Sequence, residues 1–365
     1  MPRARKHFLS ASTKRPAGMR RTVSDFATFY GCIAMHHRLL QESGQVSIPT
    51  TEDSMPATLS LPLSAHELQE AMRNARLIDA ARLDRVLRVE PGHGVVEVQA
   101  NTTWRSLAAR LRPGNAQAAS LRTTMPTVAE SLARNAAGPD GRPTVMHVEG
   151  LTLVTPDGEL RRVSRRAHPE LFALSVGGQG LFGALYSVTL KLDSLARAIS
   201  EAAPSVSGTG TAPGMQLLLP PERAAAFIAD ARSRFTEWRI AMENPTLRHV
   251  MQEDETFLRW ARREYAEISL RVPEPGTIGR SVRTTQLRRS LIDAAIAHGG
   301  GFPIACTPEA TRAQTEACYP QLRAFLAQKR LFDPAERIVN PWYLHYRSLF
   351  GREPCAVRWS HETPL

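Results

Sequence analysis

Four glycines fall within seven residues, Gly177-Gly178-Gln179-Gly180-Leu181-Phe182-Gly183, and strip side chains from backbone that must pass close to something bulky. Successive bare amides suit a phosphate or another anion, while a tight turn leading into a strand at 184 needs glycines equally. The spacing is not that of a dinucleotide fingerprint and no helical pattern follows it. Further along, Arg312, Lys329, His345 and Arg347 offer cations or a titratable ring, and each also reads as part of a solvated helix face or an ion pair. Cys32, Cys306, Cys318 and Cys355 show neither a CxxC nor a metal-type spacing, which favours reduced thiols in a cytoplasmic setting over a disulfide framework or a metal site. Cys318 sits on an apolar face and reads as buried and inert.

The elements that must position these groups can be read from periodicity. Ser64-Ala65-His66-Glu67 has the form of a capping box, and Leu68, Ala71, Met72 and Ala75 continue it at helical spacing, so residues 64 to 76 are expected to be a helix. Val96, Val98 and Ala100 alternate with polar residues as a half-buried strand, with Pro91-Gly92-His93-Gly94 as the turn before it and Trp104, Leu107, Ala108 and Leu111 as the helix after it. Residues 151 to 155 and 159 to 163 flank Pro156-Asp157-Gly158 as a hairpin, and 184 to 192 alternate as one long strand. The small, turn-rich stretch 203 to 214 reads as a linker, followed by helices at 222 to 235, 255 to 264, 284 to 297 and 309 to 330, the last broken or restarted at Pro320. Helices interleaved with antiparallel hairpins imply an α+β fold.

The chain has 365 residues and a formal net charge of +11, and among its 46 basic residues only Lys6, Lys14, Lys191 and Lys329 are lysines. The arginines are spread along the chain without the basic stripe and interleaved aromatics of a nucleic-acid groove, so no nucleic-acid partner is expected. No apolar run has the length of a transmembrane helix. The first fifty or so residues carry basic residues with no sustained period, as a disordered tail does.

Read together, three ordered blocks resemble the FAD domain shared by the vanillyl-alcohol-oxidase superfamily, in its aldonolactone and alditol oxidase branch. They are LDRVLRVEPGHGVVEVQANTTWRSLAARL, SLARNAAGPDGRPTVMHVEGLTLVTPDGELRRVS and HPELFALSVGGQGLFGALYSVTLKL. The stretches LRRSLIDAAIAHGGGFP and TRAQTEACYPQLRAFLAQKRLFDPAERIVNPWYLHYRSLFG are similar to its substrate-domain and closing segments. The resemblance implies a tail over 1–55, an FAD-binding domain over 56–200, a linker over 201–214, a smaller α+β substrate domain over 215–340 and a closing segment over 341–365. It implies FAD, held non-covalently by Asn135, Gly138, Val148, Gly177, Gly178, Gly180 and Gly183. It further implies hydride transfer to flavin from a small-molecule substrate, a sugar-derived alcohol, an aldonolactone or a similar hydroxyl compound.

Departures from the family pattern carry a second implication. Between Arg76 and Leu77 the family has a strand and a glycine-rich, histidine-containing loop whose amides hold the pyrophosphate; here the chain runs straight on. A family Gly-Gly pair is replaced by Ala129 and Glu130, placing a carboxylate where phosphates would lie, and the histidine of an Asn-x-His-Gly stretch is Ala137. After the glycines at 299 to 301, Phe302-Pro303-Ile304-Ala305-Cys306-Thr307 supplies little acid or base. The alternative is therefore a non-catalytic member that keeps the fold for binding or assembly.

Overall fold

The computed structural model describes residues 32–33, 59–111, 127–201, 214–272 and 278–351. The tail expected over 1–55, apart from Cys32 and Ile33, and most of the linker expected over 201–214 lie outside the described residues. Helices and antiparallel sheets interleave, so the fold is α+β.

The amino-terminal half is built on a five-stranded antiparallel sheet. Strands β1 (Cys32–Ile33), β2 (Leu59–Ser60) and β3 (Leu77–Asp79) form a small sheet beside helix α1 (Ala65–Arg73), with β2 and β3 parallel. Then β4 (Val86–Glu90), β5 (Val95–Gln99), β6 (Val148–Val154), β7 (Leu160–Ser164) and β8 (Ala184–Lys191) pair in the order β4-β5-β8-β6-β7. Register follows the alternation of side chains: Val96 lies opposite Leu190 and Val98 opposite Val188, all four fully buried. Helices α2 (Trp104–Leu111), α3 (Val128–Arg134), α4 (Pro169–Ser175) and α5 (Leu192–Glu201) flank this sheet.

In the carboxy-terminal half, β9 (Met215–Leu219), β10 (Thr246–Val250) and β11 (Tyr265–Leu270) form an antiparallel sheet in the order β10-β11-β9, packed with α6 (Ala224–Glu237) and α7 (Ile278–Ala297). Helices α8 (Arg312–Cys318), α9 (Leu322–Phe332) and α10 (Pro341–Phe350) close the chain. One contiguous hydrophobic core runs from Val96 and Val98 of the first sheet through Phe182, Phe257 and Phe325 to Phe350. The expected break at Pro320 is present between α8 and α9. The expected helix over 255 to 264 is not: that segment is irregular, because the Glu253 carboxylate accepts the amides of Glu255 and Thr256 and the Phe257 amide donates to Ala173, which consumes the bonds a helix would use.

Helix α9 ends on a buried ion pair, Lys329 with Asp333, four residues apart and both shielded from water. Burial pushes the Lys329 ammonium down from its ordinary pKa, opposed by the Asp333 carboxylate, which also accepts the Arg337 and Ile338 amides. Removing one partner strands the other charge in the core. Asp333→Ala is expected to lower stability by about 3–5 kcal/mol in a urea titration, whereas a loss near zero would mean that the lysine has another outlet for its charge.

Candidate functional site

The resemblance leads to one region, where α3, the turn after it and the 177–183 run converge. Asn135 caps α3 in the left-handed region at φ 48, and Gly177, at φ +74, packs so closely that a Cβ there would lie 3.2 Å from the Asn135 Cβ. Asn135 and the glycine run are thus brought together. Gly178 answers a close approach of a different kind, since a Cβ on it would stand 1.8 Å from the Leu174 carbonyl oxygen. Gly183 abuts the Val154 carbonyl, and Gly180 alone of the four faces open space. Val148 is fully buried, and its carbonyl accepts from the Arg165 guanidinium at 2.6 Å.

Where the amides of this region point decides what they can hold. In the glycine run, Gly177 N–H donates to Leu132, Gly178 to Ser175, Gln179 to Ala133 and Leu181 to Gly178, at 2.8 to 3.3 Å. The amino terminus of α3 is equally occupied. Thr127 N–H donates to the Glu130 carboxylate, Val128 to Thr102, Ala129 to Ala100 and Glu130 to the Thr127 hydroxyl. These are the four donors that a helix ordinarily leaves for an anion. Glu130 completes a capping box by accepting the Thr127 amide, and burial raises its pKa above the ordinary carboxylate value against the pull of that hydrogen bond.

The carboxy-terminal half seals the region from the other side. Asn135 Oδ1 accepts the Val145 amide at 2.9 Å, its Nδ2 donates to Glu253 at 3.2 Å, and its carbonyl accepts the Trp260 indole at 3.1 Å. Arg248 donates to the carbonyl of Ala137 at 3.0 Å and is ion-paired with Glu267. Gly138 sits in a tight turn, its amide bonded to the Arg142 carbonyl, beside the buried side chains of Asp140 and His147 and the half-buried Ser194.

The other polar candidates do not join this region in one cluster. Arg312 pairs with Glu316, Arg347 pairs with Glu336, and Lys329 is buried against Asp333. Burial lowers the pKa of His345, whose ring packs edge-on to Tyr346. Trp342, Tyr343 and Tyr346 belong to the core, and burial holds the Cys318 thiol up at about 11. No group of His, Cys, Asp and Glu that could hold a metal ion occurs among the described residues, and none of their helices is long and apolar enough to cross a membrane. Glu253, Trp260 and Arg248 escaped sequence reading because their partners lie more than a hundred positions away; the only local signal was Glu253 three residues before Thr256.

Helices and an antiparallel sheet surround the region where α3 meets the 177–183 run. Residues 64–164 match the family model described as an FAD binding domain. The match supports the FAD-linked oxidase superfamily and, as a general class, FAD-dependent oxidoreduction on a small molecule. None of the curated proteins matches the chain. The donor set described above does not fit the diphosphate of FAD: its amides are bonded within the protein, and the Glu130 carboxylate stands among them.

Glu253 carries the junction between the halves, and burial raises its pKa above the ordinary 4.5 despite the hydrogen bonds from Thr256 and two amides. A carboxyl whose folded pKa is raised stabilises the fold fully below its unfolded pKa and loses that contribution as pH rises through the folded value. Wild-type protein is therefore expected to lose stability relative to Glu253→Gln as the pH rises from about 4.5 towards neutrality, read from denaturation midpoints; a constant difference would show that Glu253 does not titrate there. Asn135→Ala, which strands the Val145 amide and removes one donor from the Glu253 carboxylate, is expected to cost roughly 1–3 kcal/mol in the same measurement.

Proposed function

We propose that this chain keeps the scaffold of an FAD-dependent oxidoreductase and has turned its flavin-diphosphate region into a structural joint, so that the protein serves binding or assembly rather than flavin catalysis. The observation that carries this reading is the complete occupation of the α3 amino-terminal amides, with Glu130 closing the capping box. Passage from Arg76 straight to β3, which pairs directly with β2, agrees with loss of the strand and loop that the family places between them. An anion brought to α3 would have to displace bonds already formed and meet a carboxylate at close range.

A second reading is favoured by the match over residues 64–164. In it, Asn135, Gly138, Val148, Gly177, Gly178, Gly180 and Gly183 line FAD held non-covalently, and a sugar-derived alcohol, an aldonolactone or a similar hydroxyl compound donates hydride. The open side of Gly180 is its best support in the geometry.

Absorption of the purified protein from the near ultraviolet to the blue separates the two. The joint reading expects no flavin bands, no quenching of FAD fluorescence on titration and no dye reduction with a panel of polyols and lactones. A yellow protein that reduces dye with any of them would overturn it in favour of the second.

A further inference from the structure

On the far side of Gly138, three side chains form a chain of a different chemistry. His147 Nδ1 lies 2.5 Å from the Ser194 hydroxyl, and His147 Nε2 lies 3.6 Å from Asp140 Oδ1. The Asp140 side chain is wholly buried and that of His147 is 5% exposed, while Ser194, in the first turn of α5, opens onto a cleft of about 620 Å³. We propose that Ser194, His147 and Asp140 are nucleophile, general base and orienting carboxylate of an esterase site for small esters whose acyl part bears a carboxylate.

The site is built rather than accidental. The turn closed by the Gly138–Arg142 and Gly141–Gly138 bonds presents Asp140, whose Oδ1 also accepts the Arg142 amide at 3.2 Å. A Cβ at 138 would stand 2.9 Å from that same oxygen and 3.5 Å from His147 Nε2, so the glycine makes room for the pair. The α5 end of the relay is fixed by the Leu192 amide, which donates to Gly94. Although burial alone would raise the Asp140 pKa, the adjacent His147 ring, the Arg142 amide and the Arg142 charge outweigh it, and the carboxyl is held below its ordinary range. An ionised Asp140 favours the tautomer with its proton on Nε2, which leaves Nδ1 free to take the proton of Ser194. The roles match those of hydrolytic triads with the two ring nitrogens exchanged.

In the reaction, Ser194 Oγ attacks the ester carbonyl carbon as its proton passes to Nδ1. Collapse of the tetrahedral intermediate breaks the carbon–oxygen bond, and the alcohol leaves with that proton. Water then attacks the acyl-serine, gives a proton to His147 and releases the acid, while the proton on Nδ1 returns to Oγ. The cleft carries Lys191 and Arg197 against Glu149 and Asp193, with Arg142 already ion-paired with Asp140, so Lys191 and Arg197 are the cations that a developing oxyanion and a carboxylate on the acyl part would meet.

The test uses the full-length protein without added flavin, so it stands apart from the flavin reading. A fluorophosphonate probe is expected to label Ser194, identified by peptide mass spectrometry, and Ser194→Ala to abolish both labelling and hydrolysis of a mono-4-nitrophenyl dicarboxylate. His147→Gln, checked by circular dichroism for folding, is expected to slow hydrolysis roughly 10²–10⁴-fold. Arg197→Glu is expected to raise KM for the charged ester about tenfold, the equivalent of one ion pair, and to raise it more than KM for 4-nitrophenyl acetate. Absence of labelling in folded wild-type protein, or equal labelling and hydrolysis by Ser194→Ala, would overturn the assignment; an equal effect of Arg197→Glu on both esters would overturn the substrate class.

Discussion

Asn135 sits at the point where the two halves of the chain are tied. Its side chain bonds to Val145 and Glu253 at once, its carbonyl takes the indole of Trp260, and its own backbone turns through the left-handed region to end α3. Each of these groups is buried, so none has water as an alternative partner, and an unmade bond would leave a desolvated polar atom. The neighbouring glycine run is shaped by the same junction: Gly177 packs on Asn135, and the amides of Gly177 and Gln179 bond to the last turn of α3. Loosening this residue would remove the Glu253 and Trp260 ties of the loop at 253 to 260 to the first half, leaving the Phe257 amide on Ala173 and the Arg165–Glu255 ion pair.

That junction also explains how one architecture accommodates two lines of evidence. Residues 64–164 match an FAD binding domain, and the fold is α+β. Yet the amino-terminal amides of α3 and those of Gly177, Gly178, Gln179 and Leu181 are spent within the chain, and the Glu130 carboxylate stands beside the first set. A fold is held by its core, whose main cluster here draws on both halves of the chain; a ligand site is held by groups left over after folding. The two can therefore diverge in a single chain.

Gly138 illustrates how one residue type answers different demands. Its bare backbone reads in the sequence as space for a flat cofactor, whereas in the folded chain the space is taken by the Asp140 carboxylate and the His147 ring. Spacing gave no warning, because the third member, Ser194, lies 47 positions beyond His147 on another helix.

By itself, the sequence determined the elements and their caps. The alternation at 96 to 100 and 184 to 192, the Pro156-Asp157-Gly158 turn and the Pro320 break all act over a few residues, and each survives in the structure. It also located the glycines that backbone crowding demands, as at Gly178. It misread 255 to 264 as a helix, because helical spacing there is local whereas the Glu253 and Ala173 acceptors that capture its amides are set by the tertiary fold. Only the tertiary structure decided which donors at the expected cofactor region remain available, since bonds such as Val128 to Thr102 and Gly177 to Leu132 join separate elements, are fixed by packing and leave no period in the sequence.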